Sequence, residues 1–328
     1  MMKYINFDNF NRASYSFAVE EYIINSMDFS DEYFLFWRTL PTVMVGRFQN
    51  TVEEINLKFV QENNIEIIRR NSGGGTIFTD ENCWQFSFIT WKENDKKKDF
   101  RNFTQPIIGT LEKLGIKTEF SGRNDLMFNG KKFSGNAQFS FKNRFLHHGS
   151  MLFDVNIENL VKSINPSDEK IISKGIKSVK ERVINLKQYL SDNQMDSIGF
   201  RNALINILCE NMETVLLSEN DLKSINKIEQ EKFLTWDWNF GKSPDFNFNK
   251  SKRFDGGKVE ILLFVNKGYI KDIKINGDFF FSGNIIDFQN EIIGCKYEKT
   301  ELFNLFSNLN IEKYFYNIKI EELLSCCF

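Results

Sequence analysis

The chain has 328 residues, 41% of them hydrophobic and 26% charged, which is enough for one large globular domain and a smaller companion. A formal net charge of −2 provides no global basic field, which argues against a nucleic-acid-binding protein. Five cysteines lack the spacing of a zinc site or a disulfide framework, and only two histidines are present. Because the N-terminal residues lack the apolar core of a signal peptide and no apolar run could span a membrane, we expect a cytoplasmic protein without membrane association.

Hydrophobic periodicity predicts a mixed order of helices and strands along the first 240 residues. In chain order, the pattern predicts a helix over 14–27, strands over 33–37 and 42–46, a helix over 56–64, strands over 65–70 and 84–90, a helix over 103–115 with Pro106 in its first turn, strands over 125–135 and 145–153, and an amphipathic helix over 199–217. We find no internal repeat and no low-complexity segment in this part of the chain.

The composition changes around residues 240–256, where Pro244 and a scarcity of aliphatic residues predict a linker. After it, residues 258–265 and 269–275 alternate polar and apolar side chains on either side of an Asn-Lys-Gly turn, which predicts a hairpin. A helical run follows near 298–309. We therefore predict two domains, residues 1–245 and a small α+β unit of residues 246–328.

The segment RRNSGGGTIFTD, residues 69–80, lies between two predicted strands and lacks the Lys-Ser/Thr of a Walker loop. Three glycines allow a ligand to approach exposed backbone N–H groups, and Arg69 and Arg70 could supply forked donors to a phosphate or carboxylate. The same residues could instead form a plain hairpin turn with surface arginines. This segment by itself does not decide between the two interpretations.

The segment GRNDLMFNGKKFSGNA, residues 122–137, carries Asn-Gly at 129–130, the strongest short-range signal of a two-residue hairpin turn. Such a turn pairs Phe128 with Lys131, Met127 with Lys132, and Asp125 with Ser134. Alternation then separates an apolar face from a polar face that carries Asp125, Lys132, Ser134 and Asn136. Lys132 beside an acid is the candidate for an anion or nucleotide site, whereas Lys131 falls on the apolar face. The alternative is a solvated polar face with an Asp–Lys pair.

Several segments, in order and spacing, give the chain a clear resemblance to the lipoate–protein ligases. They are GRFQN (46–50), RRNSGGGTIFTD (69–80), GRNDLMFNGKKFSGNA (122–137), FLHHGSMLF (145–153), KGIKSVKERVINL (174–186) and WDWNFGKSPDF (236–246). The resemblance implies an α+β fold of the biotin/lipoate ligase type, related to class II synthetases, with a mixed β-sheet, packed helices and a small α+β C-terminal accessory domain. It also implies ATP-dependent attachment of free lipoate to a lysine of a lipoyl carrier domain through lipoyl-adenylate.

The resemblance also implies roles for individual residues. Lys132 would be catalytic and hold the lipoate carboxylate and the ATP α-phosphate, and Asp125 would contact Mg²⁺, since aspartate is a hard oxygen ligand. The remaining implied substrate- and nucleotide-binding residues are Arg47, Arg70, Ser72, Gly73, Gly74, Gly75, Thr76, Ile77, Phe78, Asn124, Ser134, Gly135, Asn136, Ala137, His148, Gly149, Lys174, Ser178 and Arg182. His148 and Gly149 would line the lipoyl tunnel, and their alternative is an ordinary strand. Lys174, Ser178 and Arg182 would form the adenylate-binding loop, and their alternative is a solvated loop.

The implied substrates and cofactors are ATP, Mg²⁺ and lipoate. The implied partners are the acyltransferase subunits of 2-oxoacid dehydrogenases and the glycine-cleavage H protein, and we expect a monomer. Many members of the family have histidine where this chain has Thr79, which we expect to tune affinity without abolishing activity.

Other functions have to be weighed. A cysteine-dependent lipoyl or octanoyl transferase would share the fold, but no cysteine lies between Trp84 and Leu208 to act as its nucleophile, and Cys83 is predicted to be buried. A transferase that uses a pre-activated acyl donor, lipoyl-adenylate, stays an open alternative, because it could retain the same pocket without activating ATP. A biotin ligase would need a glycine-arginine adenylate loop that we do not find. A non-catalytic binder of lipoyl carriers or nucleotides would not need the intact set of Lys132, Asp125 and glycines.

Overall fold

The computed structural model describes residues 1–7, 12–27, 30–49, 51–91, 99–164, 178–192, 194–240, 248–266, 269–297 and 299–328. Within these ranges the strands form three sheets, one of eight strands and two of three strands. In the same ranges, none of the helices is long and apolar enough to cross a membrane.

The strands are β1 Met2–Ile5, β2 Glu32–Arg38, β3 Thr42–Val45, β4 Glu66–Arg69, β5 Ile77–Thr79, β6 Cys83–Trp91, β7 Glu119–Ser121, β8 Asp125–Phe128, β9 Lys131–Phe141, β10 Arg144–Leu152, β11 Glu213–Val215, β12 Phe248–Phe254, β13 Gly257–Asn266 and β14 Tyr269–Gly277. The helices are α1 Ala13–Ser26, α2 Thr51–Glu54, α3 Leu57–Glu62, α4 Phe100–Lys113, α5 Ile157–Ile164, α6 Ser197–Leu208, α7 Glu219–Ile228, α8 Trp236–Asn239, α9 Ile285–Ile292, α10 Lys299–Asn308, α11 Ile311–Tyr314 and α12 Ile320–Leu324. Lys187–Tyr189 form a 3₁₀ turn and Glu229–Phe233 form a π-helical turn.

The eight-stranded sheet has the order β11-β1-β2-β6-β10-β9-β8-β7. Strands β11, β1 and β2 pair in parallel, and the remaining neighbours pair antiparallel, so the predicted mixed sheet with packed helices is confirmed. Strand β10 lies inside this sheet and is buried along its whole length. Its two histidines are therefore interior residues.

Side chains of β2 alternate between two layers of the core, because successive residues of a strand point to opposite faces. Phe34 and Phe36 belong to a cluster that includes residues of α4 and α6, whereas Tyr33 and Leu35 belong to a cluster formed with α1. Fully burying each such side chain contributes about 1.5–3 kcal/mol. The large sheet is therefore covered on both faces.

Strands β4 and β5 do not form a hairpin. The second sheet has the order β4-β3-β5, in which β3 pairs parallel with β4 and antiparallel with β5. The glycine segment, residues 70–76, therefore crosses the end of β3 instead of making a tight turn. The plain-hairpin interpretation of this segment is wrong.

Two predicted helices differ from the structure. Helix α4 begins at Phe100 because the Asp99 carboxylate accepts a hydrogen bond from the Arg101 backbone N–H at 2.9 Å, so Pro106 lies inside the helix and not in its first turn. The predicted helix over 199–217 ends at Leu208. Residues 213–215 instead form the edge strand β11 on β1, because pairing with a distant strand outweighs the local periodicity.

The C-terminal residues form the third sheet, β12-β13-β14, with helices α9 to α12 and a hydrophobic core to which the first part of the chain contributes Phe48. The predicted hairpin over 258–275 and the predicted helical run near 298–309 are confirmed as β13–β14 and α10. The predicted linker over 240–256 is wrong for residues 248–254, which form β12. That strand is largely exposed, so its sequence carries few aliphatic residues and its existence depends on pairing with β13.

Aromatic residues join the C-terminal unit to the glycine segment. Phe48 stacks on Phe279 with ring centroids 5.2 Å apart and meets Phe281 edge-on at 4.6 Å. Phe48 also bridges to Gly277 through the backbone. Residues 277–281 thus pack against Phe48 and, at Gly73, against the glycine segment.

Candidate active site

Arg70 holds the glycine segment in place from inside. Its guanidinium donates hydrogen bonds to the carbonyl oxygens of Met44, Gly73 and Gly75 at 2.7–3.3 Å and to Ser72 Oγ at 3.2 Å. Burial lowers the pKa of Arg70 to about 10, so the side chain stays charged at neutral pH. The segment is therefore anchored by a buried cation.

Arg69 contributes to structure and not to ligand binding. Its guanidinium donates to the carbonyl oxygens of Gly46, Arg47 and Gln49 and to Thr51 Oγ1, all within 3.0 Å. It also binds backbone oxygens of α8, which ties that helix to β4. Neither arginine lies on the surface, so the hypothesis that both offer forked donors to a ligand is wrong for Arg69.

The hairpin β8–β9 has the predicted turn but a shifted register. Phe128 faces Lys131 and Met127 faces Lys132 as predicted, but a bulge then places Leu126 opposite Ser134 and Asp125 opposite Gly135. The predicted pairing of Asp125 with Ser134 is therefore wrong. The extra residue, Phe133, is completely buried in the core, which explains why the register shifts there.

The bulge does not separate the two charged groups. Lys132 Nζ lies 2.7 Å from Asp125 Oδ1, and both side chains are about one-third exposed. Lys131 points elsewhere and donates a hydrogen bond to the Lys180 carbonyl oxygen at 3.1 Å. Lys132 therefore lies beside the acid, as the alternation of side chains predicts, and Lys131 does not.

A cavity of about 170 Å³ lies between the glycine segment and strands β8 to β10. Its walls combine apolar side chains with one lysine and several amide and backbone groups. The lining residues are Phe17, Trp37, Met44, Arg70, Gly74, Gly75, Thr76, Ile77, Gln85, Asn124, Lys132, Gly135, Asn136, Ala137, His148, Gly149 and Ser150. A molecule with an apolar part and an anionic group fits this chemistry.

Most of the implied binding residues meet at this cavity, but some do not. Twelve of them line it, and they include Lys132, Arg70, Asn124 and His148. The residues that do not line it are Arg47, Ser72, Gly73, Phe78, Asp125, Ser134, Ser178 and Arg182. Lys174 lies outside the described residues.

Three of the non-lining residues act through neighbours that do line the cavity. Asp125 pairs with Lys132, Ser134 accepts a hydrogen bond from Asn136 Nδ2 at 3.3 Å, and Ser72 contacts His148. The stretch that contains Ser178 and Arg182 reaches Lys132 through the backbone, since the Ile184 N–H donates to the Lys132 carbonyl oxygen at 2.9 Å. The Ser178 and Arg182 side chains are exposed.

Arg47 lines a second cavity, of about 470 Å³, between the first part of the chain and the C-terminal unit. Its guanidinium stacks 4.2 Å from the Trp238 ring centroid, and burial lowers its pKa to about 10. Lys232, from the π-helical turn, lines the same cavity and is paired with Glu21. The implied role of Arg47 in the first cavity is therefore not supported by its position.

His148 belongs to a buried chain of polar groups. Its Nε2 lies 2.6 Å from Ser72 Oγ, its Nδ1 lies 3.1 Å from Glu20 Oε1, and Ser87 donates to the same Glu20 oxygen at 2.6 Å. A Ser-His-acid series is reminiscent of a nucleophilic triad. Ser72, however, is completely buried and accepts a hydrogen bond from Arg70, so it is not available to attack a substrate.

Several lining residues were missed at the sequence level. Phe17 comes from α1, Trp37 from β2 and Met44 from β3, and Gln85 and Ser150 lie on β6 and β10. Phe17 and Trp37 meet edge-on at 5.5 Å. The sequence around each of these five residues is typical of a buried helix or strand. No local signal therefore distinguishes them from other core residues.

Thr79 does not line the cavity. It is buried and exchanges hydrogen bonds of 3.0–3.1 Å with the Gln85 side chain, which does line it. Thr79 therefore adjoins the cavity through Gln85, and its expected effect on affinity stays a prediction.

The glycines of the segment differ in what surrounds them, and this yields a first prediction. A Cβ at Gly73 would lie 2.3 Å from the Phe279 carbonyl oxygen, whereas a Cβ at Gly75 would have its nearest neighbour at 3.8 Å. We expect Gly73→Ala to lower the free energy of unfolding by about 1–3 kcal/mol, because the C-terminal backbone must move. Gly75→Ala, measured by the same urea titration, should change it by less than about 0.5 kcal/mol. Equal effects would contradict the close packing at Gly73.

His147 yields a second prediction, on the pH dependence of stability. It is completely buried, and burial holds its pKa well below the ordinary value. Below about pH 6.5 the unfolded chain binds a proton at this residue that the folded chain does not. The free energy of unfolding should therefore fall by up to about 1.4 kcal/mol per pH unit as the pH drops from 6.5. His147→Gln should remove this component from urea titrations at pH 5–7, and an unchanged slope would contradict it.

Comparisons with known proteins agree with this geometry. Residues 12–208 match the family described as lipoyl protein ligase A/B catalytic domain, and residues 243–326 match bacterial lipoate protein ligase C-terminus. The chain is 40% identical to lipoate-protein ligase LplJ of Bacillus subtilis over 332 residues, covering 100% of both chains. It is 34% identical to lipoate–protein ligase 1 of Staphylococcus aureus, covering 98% of this chain and 99% of that protein.

Two solved structures are similar in fold. The crystal structure of P. falciparum LipL1 in complex with lipoate has a TM-score of 0.79 at 25% identity and covers 99% of this chain and 97% of that chain. The bipartite lipoate protein ligase of Thermoplasma acidophilum, described with its E2 lipoyl domain, has a TM-score of 0.67 at 25% identity and covers 75% of this chain and 98% of that chain.

Proposed function

The chain belongs to the lipoyl protein ligase A/B family, and from this premise we propose that it attaches free lipoate to a lysine of a lipoyl carrier domain, using ATP and a lipoyl-adenylate intermediate. The observation that carries the proposal is the position of Lys132, a partly exposed cation on the wall of a cavity whose other walls are largely apolar. Relatives named lipoate–protein ligase along the full length of this chain, and a lipoate complex of the same fold, support it.

The first step joins lipoate to the nucleotide. A lipoate carboxylate oxygen attacks the α-phosphorus of ATP, the bond to the β-phosphate oxygen breaks, and pyrophosphate leaves. Negative charge accumulates on the α-phosphate oxygens as the attack proceeds. The Lys132 ammonium stabilises this charge, and in a partly buried site the effect is larger than in water.

The second step transfers the acyl group. The neutral amine of the carrier lysine attacks the carbonyl carbon of lipoyl-adenylate, an amide forms, AMP leaves, and the amine gives up one proton. No protein side chain needs to become acylated. The positions of the cysteines agree with this, because Cys83 is buried and burial raises its pKa to about 12. None of the residues that line the cavity is a cysteine, which disfavours a thiol-dependent transferase.

We place Mg²⁺ at Asp125 in this proposal. Among the described residues no group of three or more His, Cys, Asp or Glu side chains could hold a metal by itself. A single carboxylate fits Mg²⁺ that is bound mainly through substrate phosphates and water. The metal would neutralise phosphate charge, and Asp125 would orient it beside Lys132.

The carriers in this proposal are the acyltransferase subunits of 2-oxoacid dehydrogenases and the glycine-cleavage H protein. A relative of this fold described with its E2 lipoyl domain supports the first of them. We further propose that residues 1–245 act as the catalytic domain and residues 246–328 as the accessory domain of a cytoplasmic monomer. A hydrophobic core whose buried members, except Phe48, all come from residues 259–327 supports this division.

The test is the intact mass of a purified lipoyl carrier domain after incubation with the protein, free lipoate and Mg-ATP. An increment of one lipoyl group that requires ATP is expected. Transfer only from supplied lipoyl-adenylate would instead assign a transferase that needs a pre-activated donor. Failure with both donors, across an acyltransferase domain and an H protein, would overturn the enzymatic function and leave a binder of carriers.

A further inference from the structure

His147 has no place in the reaction described above, although it is one of only two histidines in the chain and lies next to the cavity wall. It is completely buried among aromatic rings. Phe103 stacks on it with centroids 4.9 Å apart, and Phe100 meets it edge-on at 5.4 Å. Such an imidazole cannot touch a substrate, so any role must pass through its hydrogen bonds.

Both ring nitrogens of His147 face side-chain amides, and the other bonds of Asn136 fix the role of its amide. Asn136 donates through Nδ2 to the Asn124 carbonyl oxygen at 3.0 Å, so its Oδ1, 3.2 Å from His147 Nε2, is the acceptor. His147 Nε2 must therefore carry the proton. The other nitrogen, Nδ1, is then free to accept from Gln138 Nε2 at 3.1 Å.

The hydrogen bond from His147 reaches the charged end of the site in two further steps. Asn136 and Asn124 are joined reciprocally, since Asn124 Nδ2 donates to the Asn136 carbonyl oxygen at 2.6 Å and the Asn136 N–H donates to the Asn124 carbonyl oxygen at 3.0 Å. Both side chains line the cavity. Asn124 is followed directly by Asp125, the partner of Lys132.

The adjacent His148 has the opposite arrangement. Its Nδ1 faces the Glu20 carboxylate at 3.1 Å, so that nitrogen carries the proton. Its Nε2 then accepts from the Ser72 hydroxyl at 2.6 Å, and Ser72 Oγ in turn accepts from Arg70. The two histidines are consecutive on β10 and support opposite walls of the cavity. His148 bonds to the glycine segment, and His147 bonds to the Asn124–Asn136 pair.

We propose that His147, as its Nε2–H tautomer, is a positioning residue of the ligase reaction that fixes the Asn136–Asn124 pair beside Asp125 and Lys132, while Glu20 holds His148 as the Nδ1–H tautomer. The effect of His147 on catalysis rests on the proposed function, whereas the two tautomers do not. Gly149 is part of the same device. A Cβ at this position would lie 2.3 Å from Asn136 Oδ1, so only glycine leaves room for the amide that His147 holds.

The tautomers can be measured on the wild-type protein labelled with ¹⁵N-histidine, because only two imidazoles contribute signals. We expect one ring protonated at Nε2 and the other at Nδ1 in a long-range ¹H–¹⁵N correlation spectrum at pH 7.5. His147→Gln should remove the Nε2–H set and leave the other. Two rings in the same tautomer, or an Nδ1–H form at His147, would overturn the proposal.

Kinetics test the positioning role with two matched variants. His147→Phe keeps a ring that can stack on Phe103 but has no N–H, whereas His147→Gln keeps an amide N–H close to the position of Nε2. We expect His147→Phe to lower kcat about tenfold with the KM for lipoate changed by less than about twofold, and His147→Gln to recover most of the loss. Equal kcat values for the two variants, or a wild-type kcat for His147→Phe, would overturn it. Absence of lipoylation by the wild-type protein, with the tautomers as expected, would refute the proposed function alone.

Discussion

Replacing Lys132 by alanine is expected to lower the rate of lipoate activation about 10²–10³-fold, the cost of removing one donor aimed at developing charge. Lys132 Nζ lies 2.7 Å from Asp125 Oδ1, so alanine would also remove the partner of that carboxylate. The measurement is the rate of pyrophosphate release with saturating lipoate and Mg-ATP.

The matched control is Lys131→Ala. The two lysines are consecutive on β9, yet Lys131 points to the Lys180 carbonyl oxygen and does not line the cavity. We expect Lys131→Ala to release pyrophosphate within about twofold of the wild-type rate, since surface substitutions away from a site have small effects. Comparable losses in both variants would show that the lysines act through general charge, and would contradict the assignment of Lys132.

Supplying lipoyl-adenylate separates the two steps of the reaction for the same variant. The activation barrier is then bypassed, so Lys132→Ala should transfer the lipoyl group to a carrier with a smaller loss than it shows with ATP and lipoate. The intact mass of the carrier over time measures this. An equal loss with both donors would place the main role of Lys132 in transfer or in binding the adenylate.

The second large effect is expected for Arg70→Met. Methionine fills much of the same volume but leaves three carbonyl oxygens and Ser72 Oγ without the donor that holds the glycine segment. Leaving buried oxygens without their donor costs about 1–3 kcal/mol for each oxygen that stays unpaired. Because Gly74, Gly75 and the Arg70 side chain itself line the cavity, we expect the dissociation constant for lipoate to rise at least about tenfold. Urea titration and isothermal titration with lipoate measure the two effects.

Arg144→Met provides the control for a buried arginine outside the site. The Arg144 side chain is completely buried, lies 4.8 Å from the Trp91 ring centroid and donates to the Asp31 carbonyl oxygen at 2.6 Å. Arg144→Met should also lower the free energy of unfolding. At a temperature where this variant is folded, its affinity for lipoate should equal that of the wild-type protein. A matching loss of affinity would mean that the effect of Arg70→Met reports only global stability.

The amino-acid sequence by itself determined the elements whose signals are local. Asn129-Gly130 predicts its turn because few residues adopt positive φ, and both residues do so here, at 50° and 72°. Side-chain alternation separated Lys132 from Lys131 because the faces of a strand follow directly from its period. The resemblance to lipoate–protein ligases rested on motifs in register, and it named most of the residues that line the cavity.

Only the tertiary structure decided which strands pair and which charges are buried. The bulge in β9 depends on Phe133 entering a core built from distant elements, and β12 exists because β13 offers it an edge. Local patterns contain no information on these partners, since pairing free energy comes from residues far apart in sequence.

The same reason explains the residues that sequence interpretation missed or misplaced. Arg69 reads as a ligand donor, yet it binds backbone oxygens contributed by two separate segments, at Gly46 and at Trp238. Glu20 and His147 read as ordinary helix and strand residues, yet each determines the orientation of a side chain on the cavity wall. A hydrogen bond between groups more than 100 residues apart, such as that from His148 to Glu20, becomes visible only when the chain is folded.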